Sequence, residues 1–264
     1  MKRLLTALLC AVAPVAALAD DFDGVIRATV LPGWRMENGD HMAGLRLELA
    51  PGWKTYWRSP GDAGIPPAFD WAGSRNLRAV DVAWPSPEVF WQSGMRSVGY
   101  TQEVILPLRV DLAQAQRDAR INATVDIGVC KDVCLPERLH IRADLPASTR
   151  APDARIAAAL ADLPFTGEDV GATDVTCSVS AADRGIGLTV SAQLPQATGR
   201  EDTVIEFADP ALWVAEPKTS LENGRLVART RVMHTSSAGF ALDRSTMTLT
   251  VLGGAVPVEI TGCR

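Results

Sequence analysis

The chain has 264 residues, with 26 lysines and arginines against 31 aspartates and glutamates, and its formal net charge at pH 7 is −5. A mildly acidic chain without basic runs is a poor partner for nucleic acid, which binds clustered cations. The length suits one large domain or two smaller ones.

The first nineteen residues have the pattern of a secretory signal peptide. Lys2 and Arg3 precede an apolar run over residues 4–18, and the small-residue ending Ala17-Leu18-Ala19 predicts cleavage after Ala19. A membrane anchor is the alternative, but the run is shorter than the roughly 20 residues that a span needs. We therefore predict export to a bacterial periplasm. Without residues 1–19 the chain has 24 cations and 31 acids, a charge of −7.

Residues 20–148 read as one β-sandwich domain. Short apolar runs are separated by Gly, Pro and Asp, and apolar and polar residues alternate at Leu45, Leu47 and Leu49. This period of two is typical of antiparallel strands with one face toward a core. Strands are predicted at 25–31, 43–49, 104–110, 121–127 and 139–143.

Residues 149–165 read as a linker. Ile156, Leu160 and Leu163 recur at helical spacing after Pro152, which predicts one short helix.

Residues 166–264 return to the strand pattern, with about seven strands in about a hundred residues, as in an immunoglobulin-like sandwich. The predicted fold class is all-β, with two immunoglobulin-like β-sandwich domains joined by the short linker. Strands are predicted at 175–179, 187–192, 204–207, 212–215, 226–232, 247–252 and 256–260.

Five cysteines are present, and Cys10 lies in the predicted signal peptide. The other four favour two disulfides in an oxidising compartment, with three possible connectivities. Cys177 and Cys263 fall on the predicted first and last strands of the second sandwich, 86 positions apart. Pairing them would stabilise the fold by on the order of 4 to 5 kcal/mol in the chain-entropy model. We predict that this bond is structural and that Cys130 pairs with Cys134.

Cys130 and Cys134 lie three residues apart in the stretch GVCKDVCLPE. Four extended steps would span roughly 13 Å, whereas bonded cysteines need Cα atoms about 4.4 to 6.8 Å apart, so a bond would force a turn. Flanking strands at 124–129 and 139–142 place that turn at a hairpin end. So small a loop adds little stability, and short disulfides in turns tend to be accessible. A redox couple is therefore favoured over a structural staple.

A metal site is the other alternative for this pair. Zinc could use Cys130, Cys134 and His140, but no second Cys or His pair completes four ligands. We predict no metal and no cofactor.

Four stretches resemble a known family. WPSPEVFW at 84–91, LPL at 106–108 and VCKDVCLPE at 129–137 resemble the periplasmic N-terminal domain of the thiol:disulfide interchange protein DsbD. PGWKTYWRSPGDAGIPPAFDW at 51–71 resembles the suppressor-of-copper-sensitivity B subgroup. The resemblance covers most of residues 24–145, whereas the second half resembles only the general accompanying sandwich.

The resemblance implies a cysteine pair that relays electrons from a membrane reductase to periplasmic thioredoxin-fold proteins. By position, Cys134 matches the cysteine that forms mixed disulfides and Cys130 the one that resolves them. Phe90 and Trp91 match an aromatic cap loop that shields the pair, although ordinary core packing is an alternative for both. Two departures are that this pair is separated by three residues rather than five, and that the membrane donor would be a separate protein.

The sequence thus predicts a thiol-disulfide oxidoreductase. The alternative is a non-catalytic periplasmic binding module, linked to copper handling, in which both disulfides are structural. Trp53, Tyr56, Trp57 and Trp71 form a dense aromatic cluster, and the sequence leaves open whether it is a docking surface or packs inside the first sandwich.

Overall fold

A computed structural model describes residues 24–61, 64–92, 94–236 and 239–264. The predicted signal peptide lies outside these residues. The first half of the described chain contains ten strands: β1 (Ile26–Arg35), β2 (His41–Leu49), β3 (Lys54–Tyr56), β4 (Ala68–Asp70), β5 (Leu77–Val82), β6 (Glu88–Gln92), β7 (Met95–Thr101), β8 (Glu103–Leu112), β9 (Ala119–Cys130) and β10 (Cys134–Leu145).

The second half begins with the helix α1 and continues with strands. Its elements are α1 (Ala154–Ala161), β11 (Phe165–Thr166), β12 (Thr173–Ala181), β13 (Ile186–Gln193), β14 (Asp202–Glu206), β15 (Leu212–Val214), β16 (Lys218–Glu222), β17 (Arg225–His234), a 3-10 turn (Arg244–Thr246), β18 (Thr248–Leu252) and β19 (Val258–Thr261). Every strand predicted from alternation is present, and several are longer than predicted.

The first sandwich consists of two sheets. One has the order β1-β2-β8-β5, and the other has the order β10-β9-β3-β7-β6, with β4 also paired to β9. Leu45 and Leu47 of β2 are fully buried, as are Leu106 and Leu108 of β8, because their alternation places them on the core face. The second sheet, β10-β9-β3-β7-β6, also has an outward face, on the side away from this core.

The aromatic cluster is mostly buried. Trp53 and Trp57 are 9% and 0% exposed and belong to the core of the first sandwich, which confirms the packing alternative for both. Tyr56 is 2% exposed but lies on the other face of β3, between the two tryptophans in sequence. This short strand fits between β7 and β9 because Gly99 gives it room. A Cβ on Gly99 would lie 1.9 Å from the carbonyl oxygen of Thr55.

The helix α1 packs against the first sandwich. Asp153 caps its N-terminus by accepting a hydrogen bond from the backbone N–H of Arg155. Ile156 is fully buried and rests on Gly44 of β2, where a Cβ would lie 2.9 Å from Ile156 Cγ1. The helix ends at Ala161, so Leu163 lies beyond it.

The second sandwich pairs the sheet β11-β19-β18-β14 with the sheet β12-β13-β17-β15, to which β16 is joined through β17. Leu188, Val190 and Leu249 are among its buried core residues. The fold class predicted from the sequence is therefore confirmed. The domain limits at 148/149 and 165/166 stay predictions.

Two arginines of the first sandwich reach the second. Arg58 donates hydrogen bonds to the carboxylates of Glu206 and Glu259, at 2.9 and 2.6 Å from its Nη2. Arg96 of β7 is 3% exposed at its side chain and donates to the carbonyl oxygen of Thr203. These contacts fix the ends of β3 and β7 against the second sandwich.

Candidate functional site

The hairpin of β9 and β10 carries the short cysteine pair at its tip. Cys130 is the last residue of β9, Cys134 is the first of β10, and the two are directly opposite in the antiparallel register. Their sulfur atoms are bonded and their Cα atoms are 4.1 Å apart. The backbone N–H of Lys131 donates to the carbonyl of Val133, which closes the turn. The flanking strands thus place the pair at the end of a hairpin, as their apolar runs predict.

The two cysteines differ in exposure. Cys130 is 5% exposed, whereas Cys134 is exposed, and the adjacent Val133 is 51% exposed. Cys134 is therefore the more accessible of the two cysteines, and Cys130 is shielded from solvent.

Tyr56 of β3, which is two strands away from β10 in the sheet, contacts the sulfur of Cys134. Its hydroxyl oxygen lies 3.3 Å from Cys134 Sγ, and the hydroxyl is the donor because a disulfide sulfur has no proton. Burial raises the pKa of Tyr56, so the phenol keeps its proton at neutral pH. Gly128 makes room for this ring, since a Cβ there would lie 2.9 Å from Tyr56 Cδ2.

Lys54 lies on the same face of β3 as Tyr56 and directly opposite Cys130 of β9. Its ammonium group donates to Gln92 Oε1 at 3.1 Å and to Ser97 Oγ at 3.4 Å, and it lies 5.1 Å from the centroid of the Phe90 ring. Burial lowers the pKa of Lys54.

A cavity of about 200 Å³ opens beside the disulfide. The side-chain amide of Gln92 donates to the carbonyl of Lys131 at 3.0 Å and so connects the β6–β7 hairpin to the cysteine turn. The cavity is lined by Lys54, Tyr56, Gln92, Met95, Ser97, Cys130, Asp132 and Cys134.

The predicted cap residues lie on a strand rather than in a loop. Phe90 and Trp91 belong to β6, at the edge of the sheet. Phe90 pairs with Ser97, a residue of the cavity, whereas Trp91 pairs with Arg96 on the opposite face and is 59% exposed. The structure therefore brings Phe90 to the site through Lys54 and leaves Trp91 on the other face.

The second disulfide joins Cys177 to Cys263, with Cα atoms 5.6 Å apart. Cys177 lies on β12 and is 7% exposed, while Cys263 follows the end of β19 instead of lying on the last strand, where the sequence places it. This bond is in the core of the second sandwich.

The zinc alternative finds no support in the position of His140. This residue pairs with Thr124 in the β9–β10 hairpin and contacts its hydroxyl, well along the strands from the paired cysteines at the tip. Across residues 24–61, 64–92, 94–236 and 239–264, no group of three His, Cys, Asp or Glu side chains forms a metal site. In the same part of the chain, no helix has the length and apolar character needed to cross a bilayer.

An immunoglobulin-like sandwich with an accessible cysteine pair at a hairpin tip is suited to thiol:disulfide exchange. Residues 27–146 match the family described as thiol:disulfide interchange protein DsbD, N-terminal. The first sandwich is thus a domain of the DsbD N-terminal family, which confirms the resemblance found in the sequence motifs.

The fold of both sandwiches has a counterpart among solved structures. The crystal structure of the N-terminal periplasmic domain of ScsB from Proteus mirabilis aligns with a TM-score of 0.61 and 24% sequence identity, covering 89% of this chain and 91% of that one. Because the alignment covers 89% of this chain, the likeness in fold extends over both of its sandwiches. No curated protein matches the sequence.

Proposed function

We propose that the protein is a periplasmic thiol:disulfide exchange protein that relays two electrons from a membrane thiol reductase to thioredoxin-fold partners. The observation that carries the proposal is the pairing of an exposed Cys134 with a buried Cys130 at the hairpin tip. The family match over residues 27–146 supports the same chemistry.

The first half of the cycle reduces the pair. A thiolate of the donor attacks Cys134 Sγ, the Cys130–Cys134 bond breaks, and its electron pair leaves on Cys130 as a thiolate. The donor's second thiolate then attacks the donor sulfur in the mixed disulfide. Cys134 leaves as a thiolate, and the donor keeps the new disulfide. The pair has gained two electrons.

The second half passes these electrons on. The Cys134 thiolate attacks the disulfide of a thioredoxin-fold partner and forms a mixed disulfide, which releases one partner thiolate. Cys130 then attacks Cys134 Sγ and releases the second partner thiolate, so the partner is reduced and the Cys130–Cys134 bond is restored. The Tyr56 hydroxyl donates a hydrogen bond to the Cys134 sulfur and stabilises it whenever it carries negative charge.

The β6–β7 hairpin has the role of a cover in this proposal. Gln92 holds it to the cysteine turn, and Phe90 packs over Lys54 at the rim of the cavity. Such a cover excludes adventitious thiols and must shift when a partner docks. Trp91, on the opposite face, is not needed for this role.

The test is selective reduction. The protein is equilibrated in a graded dithiothreitol series, free thiols are trapped by alkylation, and modified cysteines are located by peptide mass spectrometry. We expect Cys130 and Cys134 to be reduced together at a dithiothreitol concentration at which Cys177 and Cys263 stay bonded. The Cys130→Ala variant should then trap a partner on Cys134. Equal resistance of both bonds would support the alternative of a binding module with two structural disulfides.

A further inference from the structure

Lys54 is a cation inside the site whose partners are neutral. Its ammonium group contacts the amide oxygen of Gln92, the hydroxyl of Ser97 and the face of the Phe90 ring. Among the residues that the structure describes, no carboxylate forms an ion pair with it. Lys54 is partly buried, and partial removal of an ammonium from water without an ion-pair partner costs free energy, so its retention needs a reason.

The position of Lys54 supplies that reason. It is the direct cross-strand neighbour of Cys130, and both side chains line the same cavity. Directly opposite residues have Cβ atoms about 4.5 to 5.5 Å apart, and an opposite charge that shares a cavity with an ionised group stabilises it. In the oxidised protein Cys130 carries no charge. When the disulfide opens, Cys130 becomes an anionic cross-strand neighbour of Lys54.

We propose that Lys54 stabilises the thiolate of Cys130, and thereby sets the rate at which the disulfide opens. The inference rests on the proposed exchange function and adds an electrostatic residue to it. When a donor thiolate attacks Cys134 Sγ, the electron pair of the broken bond goes to Cys130 Sγ, and no proton is transferred in that step. The Lys54 side chain lines the same cavity as the residue on which this charge develops, and a better stabilised leaving thiolate leaves faster.

Each of the two cysteines therefore has its own neighbouring side chain on β3. Tyr56 donates to Cys134, the attacked sulfur, and Lys54 lies opposite Cys130, the leaving sulfur. Both residues come from β3 and share its outward face, because they are two positions apart.

Other charges near the pair come from the turn. Asp132 lines the cavity, and the negative charge of its carboxylate disfavours a nearby thiolate. Lys131 follows Cys130 in the chain and is exposed. Tyr56 is neutral at pH 7, since burial raises its pKa. An exposed cation is screened by water and salt, so Lys131 should contribute less than Lys54.

The experiment measures the titration midpoint of the Cys130 thiol, the leaving group in the proposed step. In a Cys134→Ala background Cys130 is a free thiol, and its titration midpoint is read from the pH dependence of alkylation. We expect Lys54→Gln to raise this midpoint by about one pH unit and, in the intact pair, to slow reduction by dithiothreitol at least about threefold. Lys54→Arg should restore most of both effects, because it returns the charge.

Two controls make the result specific. Lys131→Gln removes the same charge from the exposed neighbour of Cys130 and should produce a clearly smaller shift. Lys218→Gln removes it from the second sandwich and should change neither quantity. An unchanged midpoint in Lys54→Gln, or an equal shift in Lys131→Gln, would overturn the assignment.

Failure of the proposed function would look different. The titration in the Cys134→Ala background needs no electron relay, so it reports on Lys54 even if the wild-type disulfide resists selective reduction. A wild-type pair that is reduced selectively, together with a Lys54→Gln variant that matches it in rate and midpoint, would refute the role of Lys54 alone.

Discussion

Removing the hydroxyl of Tyr56 should make the short disulfide harder to reduce. In the oxidised protein this hydroxyl donates to a neutral sulfur of Cys134, 3.3 Å away, and after reduction it can donate to a thiolate. Hydrogen bonds to charged groups contribute about 1.5 to 3 kcal/mol, against about 0.5 to 1.5 kcal/mol for neutral pairs. The hydroxyl therefore favours the reduced form by the difference, about 1 to 2 kcal/mol.

For a two-electron couple, about 1.4 kcal/mol corresponds to about 30 mV, so Tyr56→Phe should lower the reduction potential by roughly 20 to 40 mV. The assay equilibrates each variant with a dithiothreitol or glutathione redox buffer and measures the thiol content of Cys130 and Cys134 by alkylation. Burial raises the pKa of Tyr56, so its hydroxyl stays protonated and able to donate across neutral pH.

Tyr100→Phe provides a matched control. It also deletes a buried hydroxyl, but that hydroxyl donates to the carbonyl of Pro85, away from the cysteines. This variant should lose stability and keep the wild-type potential. A potential for Tyr56→Phe that equals or exceeds that of the wild type would refute the reasoning.

Three further outcomes are expected from the same structure. Replacing both Cys177 and Cys263 with alanine should lower the free energy of unfolding by about 4 kcal/mol and leave reduction of the short pair unchanged; an unaltered urea midpoint would contradict this. Arg58→Ala removes contacts to two carboxylates of the second sandwich and should cost about 2 kcal/mol, whereas Arg229→Ala breaks an exposed pair and should change the melting temperature little. Burial lowers the pKa of His41, so the folded protein favours the neutral imidazole, and the free energy of unfolding should fall as the pH drops below 6.5, the ordinary pKa of histidine. The His41→Gln variant should therefore lose less of its urea midpoint between about pH 7.5 and about pH 5 than the wild type does. Equal losses in the two proteins would contradict this role of His41.

Strands with strict alternation were predicted correctly because one face of each is buried. Leu45 and Leu47 illustrate this, since their spacing by two fixes both the strand and its core face. The three-residue β3 was missed. Its sequence, Lys54 to Tyr56, is short and bounded by a Pro-Gly turn, so its extended conformation comes from pairing with β7 and β9 on both sides.

The cap role of Phe90 and Trp91 stays a prediction, and the structure shows which face each residue occupies. Adjacent aromatic residues carry no signal about which face each will occupy until the strand is known. Because Phe90 and Trp91 are consecutive on β6, they must point to opposite faces, and only Phe90 reaches the site.

The sequence by itself determined the features that depend on local spacing. Period-two alternation specified strands, and the spacing of Cys130 and Cys134 required a turn between two of them. Only the tertiary structure decided which side chains surround the pair. Tyr56 is 78 positions from Cys134, and Lys54 meets Cys130 only because β3 and β9 are paired in one particular register. That register is fixed by burial of the opposite face, since a slip of one residue would turn Lys54 and Tyr56 into the core.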